Sequence, residues 1–416
     1  MALVSDKKQR PWLPFHRELV RCLRELEPDT WEWFEKKQDD QAERDAIRLE
    51  LLKRSVRLER ADEPDLYQWV DLACERLGFD QQVILYRAQN YEQLNCSVIG
   101  LGDGAHLVFY GPVERQLEPA EFLAVIGHEL GHAELWRGEE GAFLIAEQIL
   151  DAWAQEPQAS GAWLETSRLF RLYAEIYCDR AGYRASEDLP ATVGALVKLE
   201  TGAKSIQPLS YLKQAEEILS SDAQSSRGDS HPETYLRALA LQWWTKDASD
   251  EVDQRLEKLI EGVGELTSLS VAQQPRWQQW TRDVLVHLLD PAWRKTDLTQ
   301  AHARLFFEGE TPPTRSSVSL ADLDSQICTA SESMLDYACY LLLDFVSCDR
   351  QVQEVALAQS LEWSRRWQCE TRFQDLARRE LRLRKSQIDA LRKEAMNMLA
   401  KAEKQALQEM RRESSE

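Results

Sequence analysis

Leu117–Trp136 reads LEPAEFLAVIGHELGHAELW, and within it His128-Glu129-Leu130-Gly131-His132 decides how the chain folds. The periodicity predicts one helix. Glu118 and Pro119 make a helix start, because proline is tolerated in the first turn, and Gly138 follows as a stop. Leu123, Ile126 and Leu130 recur at i, i+3 and i+7, opposite the two histidines. One face therefore belongs to a core. The other carries imidazoles four residues apart, close enough to share a metal ion or, in the plainer alternative, to cap and pack on a surface helix.

A catalytic zinc takes three protein donors and leaves its fourth position to water. Glu129 falls beside the imidazole face, where its carboxylate can take a proton from that water. The third donor is expected downstream. Leu172–Arg184 (LYAEIYCDRAGYR) reads as a second helix with Glu175 and Asp179 again four residues apart. Glu175 would complete a two-His, one-Glu site, and Asp179, one turn on, would accept the free ring N–H of a ligand histidine. Cys178 between them reads as packing. Further on, Ser230-His231-Pro232 follows the polar stretch Ser220–Ser230 at a loop-to-helix junction, with Arg237 beyond it. His231 or Arg237 could stabilise an oxyanion, and His231 reads equally as a helix-start contact.

In this order, H-E-x-x-H, then E-x-x-x-D, then H-P-x-x-x-x-R, the residues resemble the gluzincin zinc metallopeptidases typified by HtpX and the CAAX prenyl proteases. The resemblance runs from about Asp65 to Leu241, with Asn95-Cys96-Ser97 in the place of that family's Asn-Ala-Phe stretch. It implies an α+β, mostly helical zincin-type domain with a small sheet beside the H-E-x-x-H helix. It also implies one zinc ion per chain, held by His128, His132 and Glu175, and Glu129 as general base. Asp179 would steady a ligand, and His231 and Arg237 would act on the substrate side or at the transition state. The reaction implied is endopeptidase cleavage of internal bonds in a protein or peptide. Thermolysin-like enzymes share the first two motifs, but the His-Pro element and the long gap before Glu175 fit them less well.

The chain departs from that family, most of whose members are membrane-embedded or exported. No uninterrupted apolar stretch reaches the ~18–20 residues needed to span a bilayer. The best candidate in the C-terminal half, Tyr337–Val346, is broken by Asp344. The N-terminus, MALVSDKKQRPW, lacks the apolar region of a signal peptide. Eight scattered cysteines without a C-x-x-C suit a reducing, cytoplasmic setting. A net charge of −20 argues against nucleic acid and anionic membranes as partners.

Five segments are expected along the chain. Residues 1–60 form a charged N-terminal helical segment and 61–308 the metallopeptidase domain. Residues 309–318, which take in all but the first residue of EGETPPTRSS (308–317), are a linker. A helical domain over 319–395 weakly resembles TerB-like domains of stress systems, and 396–416 make a charged helical tail; Leu383, Leu391 and Leu399 could dock a partner helix. Asp349 and Glu354 are minor metal-ligand candidates, and Arg350 stands where the TerB-like pattern has Gly. Strands are expected at Val83–Arg87, Ser97–Leu101 and Ala105–Tyr110. Leu107, Val108, Phe109 and Tyr110 form either an edge that pairs with extended substrate or an internally paired strand. The competing functional readings are a silent zinc-binding scaffold working through the C-terminal helices, and a peptidase regulated by a protein partner there.

Overall fold

Proline-started helices alternate with one short run of β-branched and aromatic residues, and the fold follows that division. The computed structural model describes residues 12–38, 41–89, 94–101, 104–221, 225–247 and 250–413. Most of the MALVSDKKQRPW stretch, part of Ser220–Ser230 and the last three residues of the tail lie outside the described residues. The chain divides into two compact units, Met1–Gly262 with Ser270–Ala272, and Val263–Leu269 with Gln273–Glu416.

The first unit begins with α1 (Pro14–Leu26), α2 (Pro28–Lys37) and α3 (Gln41–Arg54), then β1 (Ser55–Leu58) and α4 (Pro64–Leu77). Strands β2 (Val83–Ala88), β3 (Asn95–Leu101) and β4 (Gly104–Tyr110) follow. The sheet order is β1-β2-β4-β3, with β2 and β4 parallel and the other pairs antiparallel. Strand β4 is therefore interior, with Leu107 opposite both Leu85 and Val98. Its burial on both faces explains the run AHLVFY, which is apolar except at His106. Leu107 and Phe109 join the core under the helices, and Val108 packs with Tyr86 and Leu51 on the other face. The expectation that Leu107–Tyr110 forms an edge is corrected: both of its sides are already paired, and β3 is the outer strand on this end of the sheet.

After the short α5 (Val113–Gln116) come α6 (Pro119–Trp136), α7 (Gly138–Gln155) and α8 (Gly161–Ser186). The start of α6 is closed by a capping box, in which the Glu118 backbone N–H donates to the Glu121 carboxylate at 2.8 Å. Glu121 is itself buried and bound by Lys198 at 2.7 Å, so the cap is tied into the fold. Leu130 and Ile126 are fully buried, each contributing roughly 1.5–3 kcal/mol of apolar transfer. Helices α6 and α8 pack closely through glycine. A Cβ on Gly131 would stand 2.8 Å from Ala181 Cβ, and one on Gly182 would stand 2.7 Å from the Ala124 carbonyl oxygen. The unit is completed by α9 (Leu189–Thr201), α10 (Pro208–Ser221), α11 (Thr234–Lys246) and α12 (Asp250–Ile260).

The second unit comprises α13 (Gln274–Leu288), α14 (Asp297–Arg304), α15 (Leu320–Cys328), α16 (Glu332–Ser347), α17 (Gln353–Arg366), α18 (Glu370–Glu380) and α19 (Lys385–Glu413). Its division from the first unit falls at 262–273, upstream of the expected linker. The reason is the apolar face of α13, whose Trp280, Val284, Leu285 and Leu288 share one core with Leu342, Phe345 and Trp367. The 309–318 stretch is strapped on both sides to α13. Arg282 binds the Phe306 carbonyl at 2.9 Å and Glu308 at 2.6 Å, and Ser316 donates to Asp283 at 2.6 Å. The expected boundary at 395/396 falls inside α19, whose Ile388 and Ala395 are buried and whose Leu391 and Leu399 pack on the unit's own core. Asp349 is buried, and its carboxylate accepts from the Gln351 backbone N–H at 2.9 Å as a turn contact.

Candidate metal centre

Helix α6 places His128, Glu129 and His132 at the wall of a cavity of about 1140 Å³, and α8 brings Glu175 and Asp179 to the same wall. The glycine-mediated approach of the two helices sets the distances. Glu175 Oε2 lies 3.5 Å from His128 Nε2 and Oε1 lies 3.4 Å from His132 Nε2. The imidazole centroids are 5.2 Å apart. Asp179 Oδ1 sits 3.1 Å from His128 Nδ1, which fixes that ring with Nε2 turned toward Glu175.

The third element arrives on a loop anchored from below. Arg168 of α8 donates to the Gly228 carbonyl at 3.0 Å, and the Ser226 N–H donates to the Leu259 carbonyl at 2.6 Å. His231 then stands with Nε2 3.5 Å from Glu175 Oε1 and Nδ1 2.8 Å from Ser230 Oγ, its side chain 61% exposed. Arg237 of α11 behaves differently. Its guanidinium is only 12% exposed and donates to Asp179 at 2.8 and 2.6 Å, with Glu175 Oε2 3.0 Å away. Arg237 thus turns two of its nitrogens to the carboxylates while the residue still lines the cavity.

The electrostatics follow from this crowding. Burial alone would raise the Glu175 carboxyl, but Arg237 and the imidazoles of His132 and His128 outweigh it and hold the group well below the usual range. Asp179 is likewise pushed up by burial and pulled further down by Arg237 and His128. Glu129 goes the other way. Desolvation dominates and raises its carboxyl, against weaker pulls from His128 and His132. Burial pushes the Cys178 thiol up to about 12.

The donor set fits a divalent cation. Two imidazoles and a carboxylate converge from two helices, and Glu175 Oε2 is buried without accepting a hydrogen bond. The cavity brings together His128, Glu129, His132, Glu175, Asp179, His231 and Arg237, whereas Leu107–Tyr110 lie in interior strand β4 and do not line it. Three contributors were not among the expected site residues. Strand β3 lines the cavity through Asn95, Cys96, Ser97 and Val98. Trp136, whose indole N–H donates to Glu147 at 2.5 Å, lies 6.2 Å by ring centroid from His132. Cys178 adjoins both imidazoles, the three donor atoms lying within 4.8 Å of one another. The spacing of Cys178, three residues after Glu175, was the available signal.

Residues 61–245 match peptidase family M48, and this span contains the whole constellation. The chain carries an M48 peptidase domain. A curated relative, the plastoglobule-localized metallopeptidase 48 (chloroplastic) of Arabidopsis thaliana, is 28% identical over 217 residues. That match covers 48% of this chain and 62% of the relative, so the chain spans under two thirds of that protein's length. No solved structure matches the chain. M48 is a metallopeptidase family with protein or peptide substrates, in agreement with the resemblance drawn from the motifs. Among the described residues no helix is long and apolar enough to cross a membrane.

Proposed function

We propose that the M48 domain is a zinc-dependent endopeptidase of the gluzincin type, and that His128, His132 and Glu175 hold the metal. The supporting observation is the convergence of both Nε2 atoms on one buried carboxylate, at 3.5 and 3.4 Å. When bound, zinc would supply Lewis-acid polarisation of the scissile carbonyl and activation of a water. Glu129, with its carboxyl raised by desolvation, accepts a proton and returns it to the leaving amine. Asp179 keeps the His128 ring in the tautomer that presents Nε2, and Arg237 keeps Asp179 and Glu175 in place. His231, exposed beside Glu175, donates to the developing oxyanion.

Substrate binds in an extended form along β3, whose outer side has no strand partner among the described residues and which borders the cavity. Main-chain pairing there lays the scissile bond across the α6 face. The deciding experiment is Glu129→Gln. The variant should retain one zinc per chain while its cleavage of an unfolded protein substrate falls by roughly 10²–10⁴-fold. Cleavage at the wild-type rate would remove Glu129 from the mechanism.

A further inference from the structure

Cys178 stands one turn along α8 from Glu175, on the face that packs against α6, and it is fully buried. Gly131 makes its position available. A Cβ there would lie 3.0 Å from Cys178 Cα, so only a bare backbone lets the thiol approach the imidazoles this closely. The donor atoms of His128, His132 and Cys178 lie within 4.8 Å of one another. Around a tetrahedral zinc, with bonds of ~2.0–2.1 Å to nitrogen and ~2.3 Å to sulfur, such atoms stand about 3.3–3.6 Å apart. Side-chain rotations of about an ångström close that difference. A second observation points the same way. Glu175 Oε2 accepts no hydrogen bond although the side chain is more than nine-tenths buried, and Arg237 Nη2 waits 3.0 Å from it.

We propose that Cys178 is an additional, thiolate donor to the metal centre, giving it a closed coordination alongside the open one. With His128, His132 and Glu175 it brings the protein donors to four, the number found in zinc sites that hold metal without turning over substrate. Withdrawal of the sulfur frees the position that hydrolysis requires. On coordination the S–H bond breaks, a sulfur–metal bond forms and the proton leaves to solvent, with no change of oxidation state. The thiolate also favours zinc over harder cations such as manganese or calcium. The inference rests on the zinc-site reading of the same residues, and it concerns which coordination the resting protein adopts.

The test uses the full chain loaded with cobalt(II) as an optical stand-in for zinc. The wild type should bind one cobalt per chain and show a sulfur-to-cobalt charge-transfer band in the near ultraviolet. Cys178→Ser should still bind one cobalt but lose the band, whereas Cys96→Ser, the variant at the thiol that lines the cavity, should keep it. Zinc affinity of Cys178→Ser, measured by chelator competition, should fall about tenfold. A readout that needs no substitution is X-ray absorption at the zinc edge, which should find one sulfur neighbour at about 2.3 Å. Stoichiometric cobalt without the band, or a band that survives Cys178→Ser, overturns the proposal and leaves the zinc site standing. Should His128→Ala take up cobalt as tightly as wild type, the zinc-site reading itself fails and the proposal falls with it.

Discussion

Two guanidinium groups, Arg237 in the first unit and Arg294 in the second, sit in opposite surroundings. Arg237 lies among carboxylates, donating twice to Asp179 and standing 3.0 Å from Glu175. Burial would lower its pKa, yet those carboxylates outweigh the effect and raise it. Arg294 is fully buried but meets only neutral acceptors, Gln359 Oε1 at 2.8 Å and the Phe345 carbonyl, with Trp293 stacked at 4.9 Å. Burial dominates there and lowers it to about 10. The first arrangement leaves an excess of carboxylate beside two imidazoles and so suits a cation. The second joins α16, α17 and the Ala292–Arg294 turn through neutral acceptors, which is a structural use.

The contrast predicts what each cluster loses when opened. Glu175→Ala should weaken zinc binding by at least ~10²-fold, beyond the 10–100-fold typical of residues that only orient a ligand. Elemental analysis after dialysis reads this directly, and full zinc retention would take Glu175 out of the donor set. Arg294→Ala should leave zinc affinity unchanged and lower the stability of the second unit by about 3 kcal/mol. That sum combines a cavity with the loss of the donors to Gln359 and Phe345. If thermal unfolding were unmoved, the guanidinium would not be holding those elements together. Asp179→Ala should fall between, with zinc affinity down by 10–100-fold through a freed His128 ring. Equal affinity in that variant would mean that the ring is fixed by packing alone.

Much of this centre was legible in the sequence, and the reasons are local. Helical periodicity fixes which residues share a face, so His128, His132, Glu175 and Asp179 could be placed on two helices before any coordinates. The partner of Arg237 could not, since a guanidinium at that position meets either substrate or carboxylates depending on how α11 packs. The choice between edge and interior strand turns on a different feature. GAHLVFY carries apolar residues on both faces, a mark of an interior strand, whereas NCSVIGL mixes polar and apolar positions as an outer strand does. The unit boundary was drawn at proline and glycine, but EGETPPTRSS is held at both ends by Arg282 and Asp283, contacts that no composition reveals. Strand β1 escaped notice because four residues, SVRL, are too few to show an alternation.

The smallest effect tests the core beneath the metal helices. His16 of α1 is fully buried, with its ring 5.1 Å from Phe170 and 5.5 Å from Phe143 by centroid. Burial pushes the imidazole down to about 3, against a weaker opposite pull from the Phe170 backbone. Its folded pKa is thus below the unfolded value of 6.5, so between these limits the unfolded chain binds the extra proton. Stability contributed by the neutral ring is complete above pH 6.5 and is lost as pH falls, by ~1.4 kcal/mol per unit. At pH 5 the deficit is about 2 kcal/mol, or roughly 4–8 °C in melting temperature for a unit of this size. His16→Phe keeps an aromatic ring among aromatic neighbours and removes the proton site. Wild type and variant should melt together at pH 7.5 and separate by that amount at pH 5, with the variant the more stable. Groups at the metal centre titrate alike in both proteins, so the difference isolates His16. Parallel melting curves across that range would mean that the ring reaches water in the native state.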